Sequence, residues 1–149
     1  MNPDFKDILS EFSAAEVEYL LVGAYALAVH GVPRATGDID LWVNPTPENA
    51  SKVFAALTQF GAPLKSHNVT VKDFSTPDVG FQIGVPPRRI DILTKISGLT
   101  FPEAWENRVT TTVDNLDIFV IGKADFIKNK RESGRPKDLA DIAYLEGEE

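Results

Sequence analysis

The sequence predicts an α/β (α+β) domain in which a mixed β-sheet is flanked by helices. Short runs rich in branched and aromatic residues alternate with segments of helical periodicity. At least two connections between strand-like runs are too short for a crossover helix, so antiparallel pairs are expected. With 149 residues and 43% hydrophobic content, the chain suits one domain with a sizeable core.

The elements follow in order. Asp4 to about Ala15 places Phe5, Ile8, Leu9 and Phe12 at helical spacing. Val17–Val22 reads as a buried strand that Gly23 ends, and Ala24 to about His30 as a helix stopped by Gly31-Val32-Pro33. Ile39–Val43 is a second strand, with Ile39, Leu41 and Val43 alternating against Asp38, Asp40 and Trp42. Thr46 is placed to cap the next helix, with Pro47 at its first position and Gly61 at its end. Residues 62–77 read as a loop with room for one short helix. Val79–Val85 and Arg89–Thr94 read as strands joined at Pro86-Pro87, and Phe101–Asn107 as a short helix. Val109–Val113 and Leu116–Val120 flank Asp114-Asn115, a hairpin signal. Gly122–Arg131 and Pro136–Leu145, parted by Ser133-Gly134, read as closing helices at about 122–147 of a single 1–149 domain.

The net charge of −7 repels nucleic acid and anionic membranes in bulk. The acidity is uneven: Lys123, Lys128, Lys130, Arg131, Arg135 and Lys137 face only Asp125 and Glu132 over that stretch. Such a strip either meets a phosphate-bearing ligand or is a solvated helix face. The absence of cysteine excludes disulfides and thiolate metal sites and fits a reducing, cytoplasmic compartment. His30 and His67 are too few for a His-rich zinc site. No apolar run approaches the roughly 20 residues of a membrane span, and Met1–Ser10 is not a signal peptide.

Three features carry chemistry. The first is Gly23 followed by Ala24 at a strand–helix turn, where free backbone N–H groups suit a phosphate; ordinary turn chemistry is the competing reading. The second is Gly37-Asp38-Ile39-Asp40-Leu41. Asp38 and Asp40 lie two apart, so a strand presents both carboxylates on one side, where they repel and call for a cation. Mg²⁺ is the natural candidate, as a hard ion that prefers carboxylate and phosphate oxygens. Otherwise one Asp caps a turn and the other is solvated. The third is Asp91, an acid inside the apolar run Ile90–Leu93. If the two acidic strands are neighbours, three carboxylates converge and a two-metal phosphoryl-transfer site becomes possible.

The stretch Leu21-Val22-Gly23-Ala24-Tyr25-Ala26, then Pro33-Arg34-Ala35-Thr36-Gly37-Asp38-Ile39-Asp40-Leu41-Trp42, resembles the signature region of the polymerase-β-like nucleotidyltransferase superfamily. It is most similar to small prokaryotic members related to abortive-infection and toxin–antitoxin nucleotidyltransferases. The tail from Lys130 to Ile142 resembles the closing helices of that group. The resemblance implies the nucleotidyltransferase fold and the Mg²⁺-dependent (or Mn²⁺-dependent) transfer of a nucleoside monophosphate from ATP or another triphosphate to a hydroxyl acceptor. It implies that Asp38 and Asp40 hold the metal carrying the triphosphate, and that Asp91 joins at the second ion and helps deprotonate the acceptor. Gly23, Ala24, Arg34, Lys128 and Lys137 are then the nucleotide-binding candidates, with Arg135 a further positive group. Ala24 departs from the Ser or Gly of many relatives and offers a phosphate only its backbone N–H.

Two functions follow from different classes. One is an enzyme whose acceptor is a protein, an RNA end or a small molecule. The other is a toxin–antitoxin component that keeps the fold, binds nucleotide weakly or not at all, and acts through a cognate protein partner. Tyr25 and Trp42 are each read as either a wall of the nucleotide pocket or a packed residue. Asp138 and Asp141 favour the dipole at the start of the last helix, and the resemblance of the tail also allows them a functional role.

Overall fold

The computed structural model describes residues 2–32, 37–85 and 88–147. Six strands form one mixed sheet: β1 (Tyr19–Val22), β2 (Ile39–Val43), β3 (Gly80–Ile83), β4 (Ile90–Leu93), β5 (Val109–Val113) and β6 (Leu116–Val120), in the spatial order β3-β4-β2-β1-β6-β5. The helices are α1 (Pro3–Ala14), α2 (Gly23–Val29), α3 (Pro47–Phe60), α4 (Phe101–Glu106), α5 (Lys123–Ser133) and α6 (Pro136–Leu145).

Local chemistry sets these boundaries. Thr46 caps α3 by accepting from Asn49 N, Pro47 opens the helix, and Gly61 closes it in the left-handed conformation at φ 92°. The β5–β6 turn places Asp114 and Asn115 at φ 51° and 66°, the pair of left-handed residues a two-residue hairpin needs. The segment 62–77, expected as a loop with room for one short helix, contains a 3-10 turn at Val71–Ser75, held at its start by Thr70 N donating to Asp73 Oδ2 at 2.8 Å.

The sheet is covered on both faces. Tyr19 and Trp42 belong to adjacent registered pairs, Tyr19–Val43 and Leu20–Trp42, and so point to opposite faces. Tyr19 meets Phe12 of α1 on one face, edge to face at 5.5 Å. Trp42 meets Phe101 of α4 on the other, at 5.1 Å. Phe5, Ile8, Leu9 and Phe12 are all fully buried, as the periodicity of α1 predicted. No helix among the described residues is long and apolar enough to cross a membrane.

Two connections matter for the site. β1 and β2 are antiparallel, with Val22 opposite Asp40. β2 and β4 are parallel, with Asp40 opposite Asp91. The two acidic strands are therefore direct neighbours.

Candidate active site

Asp40 and Asp91 occupy the same register position on β2 and β4, so both carboxylates leave the same face of the sheet. It is also the face of Trp42, two residues on. Asp91 is buried at 6% exposure, and its Oδ1 accepts no hydrogen bond although Arg89 Nε stands 3.1 Å away. Burial first, then the hydrogen bond and negative charge of Asp91 and the charge of Asp38, push the Asp40 carboxyl up to about 7 against the pull of Arg89.

Gly23 fits tightly beside this pair. It opens α2 at φ 70°, and a Cβ there would overlap Oδ2 of Asp40. Glycine is required both by conformation and by the close approach of the carboxylate. Ala24 follows, half-buried, and α2 begins without a side-chain cap.

Asp38 precedes β2 and accepts from Arg89 N at 2.9 Å. The Arg89 guanidinium binds the acids from the other side. Its Nε lies 3.1 Å from both oxygens of Asp91 and donates to Oδ2, and Nη2 lies 3.8 Å from Asp38 Oδ2. Asp40 and Asp91 thus meet directly, while Asp38 is gathered to them through Arg89. Among the described residues, no three His, Cys, Asp or Glu side chains stand close enough together to enclose a metal ion as they are. The donor set nonetheless suits a hard divalent cation: the buried Asp91 Oδ1, which accepts no hydrogen bond, stands beside the Asp40 carboxyl, whose charged form burial and the neighbouring acids disfavour.

On the β3 side, the pair opens into a cleft of about 520 Å³. Asp40 and Asp91 line it together with His67, Asp73, Phe81 and Gln82. His67, for which the sequence offers no role, stands on its wall, with ring nitrogen Nδ1 2.8 Å from Pro63 O.

The basic strip does not form one surface. Lys130 is buried and its ammonium lies 3.0 Å from Asp141 and 3.4 Å from Asp138. Arg135 donates to Asp138 at 2.8 Å, and Arg131 pairs with Glu146 at 3.1 Å. Burial alone would raise the Asp138 carboxyl, but hydrogen bonds from Arg135 and Ser133 and the charges of Lys130 and Arg135 hold it below its usual value. Asp138 and Asp141 therefore tie α6 to α5, a larger role than complementing a dipole. Lys128 and Lys137 are exposed. Arg34, with the lead-in Pro33–Thr36, lies outside the described residues.

Trp42 is 1% exposed and stacked edge-on against Phe101, so it is a packed residue. Tyr25 is half-buried against Phe5 at 5.6 Å. His30 ends α2, and its Nε2 lies 2.7 Å from Ile121 O.

Residues 5–146 match the family described as "Nucleotidyltransferase of unknown function (DUF6036)". The chain belongs to this nucleotidyltransferase family. No curated protein matches it. Solved structures share the fold of this family member at low identity. A candidate nucleotidyltransferase, TM1012 from Thermotoga maritima, superposes with a TM-score of 0.65 at 14% identity, covering 99% of this chain and 95% of that one. The lincosamide antibiotic adenylyltransferase LnuA, solved with lincomycin bound, gives 0.59 at 17% identity over 98% and 96%. ANT(2")-Ia, in complex with adenylyl-2"-tobramycin, gives 0.54 at 14% identity over 95% and 84%. The fold agrees with membership of the polymerase-β-like superfamily.

Proposed function

We propose that the chain transfers a nucleoside monophosphate from a nucleoside triphosphate to a hydroxyl acceptor, using a divalent cation held at Asp40 and Asp91 with Asp38 beside them. The observation that carries this reading is the register of Asp40 against Asp91 on parallel neighbouring strands, with a buried Asp91 oxygen that accepts no hydrogen bond and open space beyond the pair. Bound there, Mg²⁺ (or Mn²⁺) would neutralise charge building on the phosphates.

The chain's own residues supply the rest. Gly23 and Ala24 bring backbone N–H groups beside Asp40, where the phosphates would lie. Lys128, Lys137 and Arg34 are the candidate cations for the leaving pyrophosphate. Asp91 faces the β3 cleft, where the acceptor would enter, and takes part in removing its proton. The acceptor oxygen forms a bond to the α-phosphorus while the bond from that phosphorus to the bridging oxygen breaks, and pyrophosphate leaves. LnuA and ANT(2")-Ia act on small molecules, which supports a small hydroxyl acceptor here.

The second reading, a toxin–antitoxin component that binds a protein partner without catalysis, is favoured by Ala24 and by the ion pairs of Arg89 with Asp38 and Asp91, which already balance part of the charge. Incubation with α-labelled triphosphates, Mg²⁺ and cell extract separates the two. The enzyme reading expects label on an acceptor with wild type and none with Asp40→Ala/Asp91→Ala. No label with either supports the binding component.

A further inference from the structure

Arg89 is the charge in the site for which the reaction has no role. Its guanidinium reaches across two strands. It touches Asp91 of β4 through Nε at 3.1 Å and approaches Asp38, ahead of β2, through Nη2 at 3.8 Å, while its own backbone N–H fixes the other oxygen of Asp38. It therefore stands between Asp38 and Asp91. It also accounts for their spacing, since a planar guanidinium holds carboxylates at its edges, farther apart than a small ion would.

The chain's other cation among paired acids gives the contrast. Lys130 stands between Asp138 and Asp141 with its side chain 9% exposed and its partners at 3% and 0%. That group cannot leave without stripping two buried carboxylates. The Arg89 side chain is 30% exposed, and Asp38 is 31% exposed. Arg89 thus has a path toward water that Lys130 lacks, and Asp91, the more buried of its two partners, is held in place by β4.

We propose that Arg89 is a built-in counter-cation that keeps Asp38 and Asp91 assembled in the metal-free chain and is displaced when a divalent cation binds. This rests on the metal reading given above. Arg89 would be a positioning residue: it preserves the acid cluster while empty and sets how strongly a cation must bind to enter.

The test is Mn²⁺ binding to the full chain without nucleotide at about pH 8, followed by the paramagnetic signal of free Mn²⁺, for wild type, Arg89→Gln and Arg89→Lys. Removing a unit charge a few ångströms from the ion should tighten binding about tenfold or more in Arg89→Gln. Arg89→Lys, which keeps the charge, should stay near wild type. Equal or weaker binding by Arg89→Gln, with Mn²⁺ bound by wild type, overturns the proposal and leaves the metal site standing. No Mn²⁺ binding by wild type or variant overturns both. Should Arg89→Gln fail to fold, the Nε–H resonance of Arg89 in wild type decides. Saturating Mg²⁺ should move it from a hydrogen-bonded to a solvent-like position, and an unmoved resonance overturns the proposal.

Discussion

Asp40 Oδ2 and the Cα of Gly23 are packed so closely that the sheet's central acid is seated against the first residue of α2. The carboxylate and the glycine are one structural unit: β1 delivers the turn, β2 delivers the acid, and the antiparallel pairing of Val22 with Asp40 brings them together.

Gly23→Ala should damage this unit twice. The left-handed φ of 70° costs an L-residue about 1–2 kcal/mol, and the new methyl displaces Asp40. Urea denaturation should show at least that loss of stability, and nucleotide binding should weaken by more than the loss of folded protein explains. An unchanged unfolding midpoint would contradict the packing.

The protonation of Asp40 fixes a pH dependence. Its carboxyl is raised from 3.8 to about 7. Between those values the folded chain holds a proton that the unfolded chain has released, so stability falls as pH rises from about 4 to about 7. Asp40→Asn removes that slope and should gain on wild type across the window, levelling off above it. Melting curves at several pH values check this; a constant difference between the two proteins would speak against a protonated Asp40.

The Lys130 cluster makes the opposite kind of demand. Lys130→Met leaves Asp138 with only Arg135 as its cation and leaves Asp141 buried without the Lys130 charge. Breaking a buried pair from one side costs about 3–5 kcal/mol. Because Asp138 is depressed, its contribution is present above its unfolded value and is lost as pH falls through the folded one. Chemical denaturation at neutral pH measures the cost; a loss below about 1 kcal/mol would show that α5 and α6 do not depend on the cluster.

At the β5–β6 turn, Asn115→Gly should stabilise the chain, because glycine adopts φ 66° without strain. Asn115→Val should destabilise it by about 1–2 kcal/mol, because a β-branched residue resists the left-handed region. Thermal unfolding of both variants reads the difference, and equal melting temperatures would contradict the turn geometry.

These cases also show what was legible beforehand. β2 is readable residue for residue because Ile39, Leu41 and Val43 alternate with Asp38, Asp40 and Trp42 and Asn44-Pro45 stops the run. The hairpin was readable because Asp114-Asn115 tolerates the left-handed region. The pairing of Asp40 with Asp91 is legible only as a condition, since register between strands distant in the chain depends on packing. The contact of Arg89 with the acids is not legible, although its two-residue spacing from Asp91 places both on one side of the chain. Lys130 looked like part of a solvated strip because its burial arises from α6 folding back on α5, which no local pattern records. The 3-10 turn at Val71–Ser75 was too short to show periodicity.

If Asp40 and Asp91 hold a divalent cation together with a triphosphate, thermal shift with each of the four nucleoside triphosphates, with and without Mg²⁺, will reveal it when wild type is run beside Asp40→Asn/Asp91→Asn. Wild type should rise in Tm only when nucleotide and Mg²⁺ are both present, and a double variant whose circular dichroism shows it folded should not rise at all. An equal metal-dependent rise in the double variant would rule out these two acids as the cation's ligands.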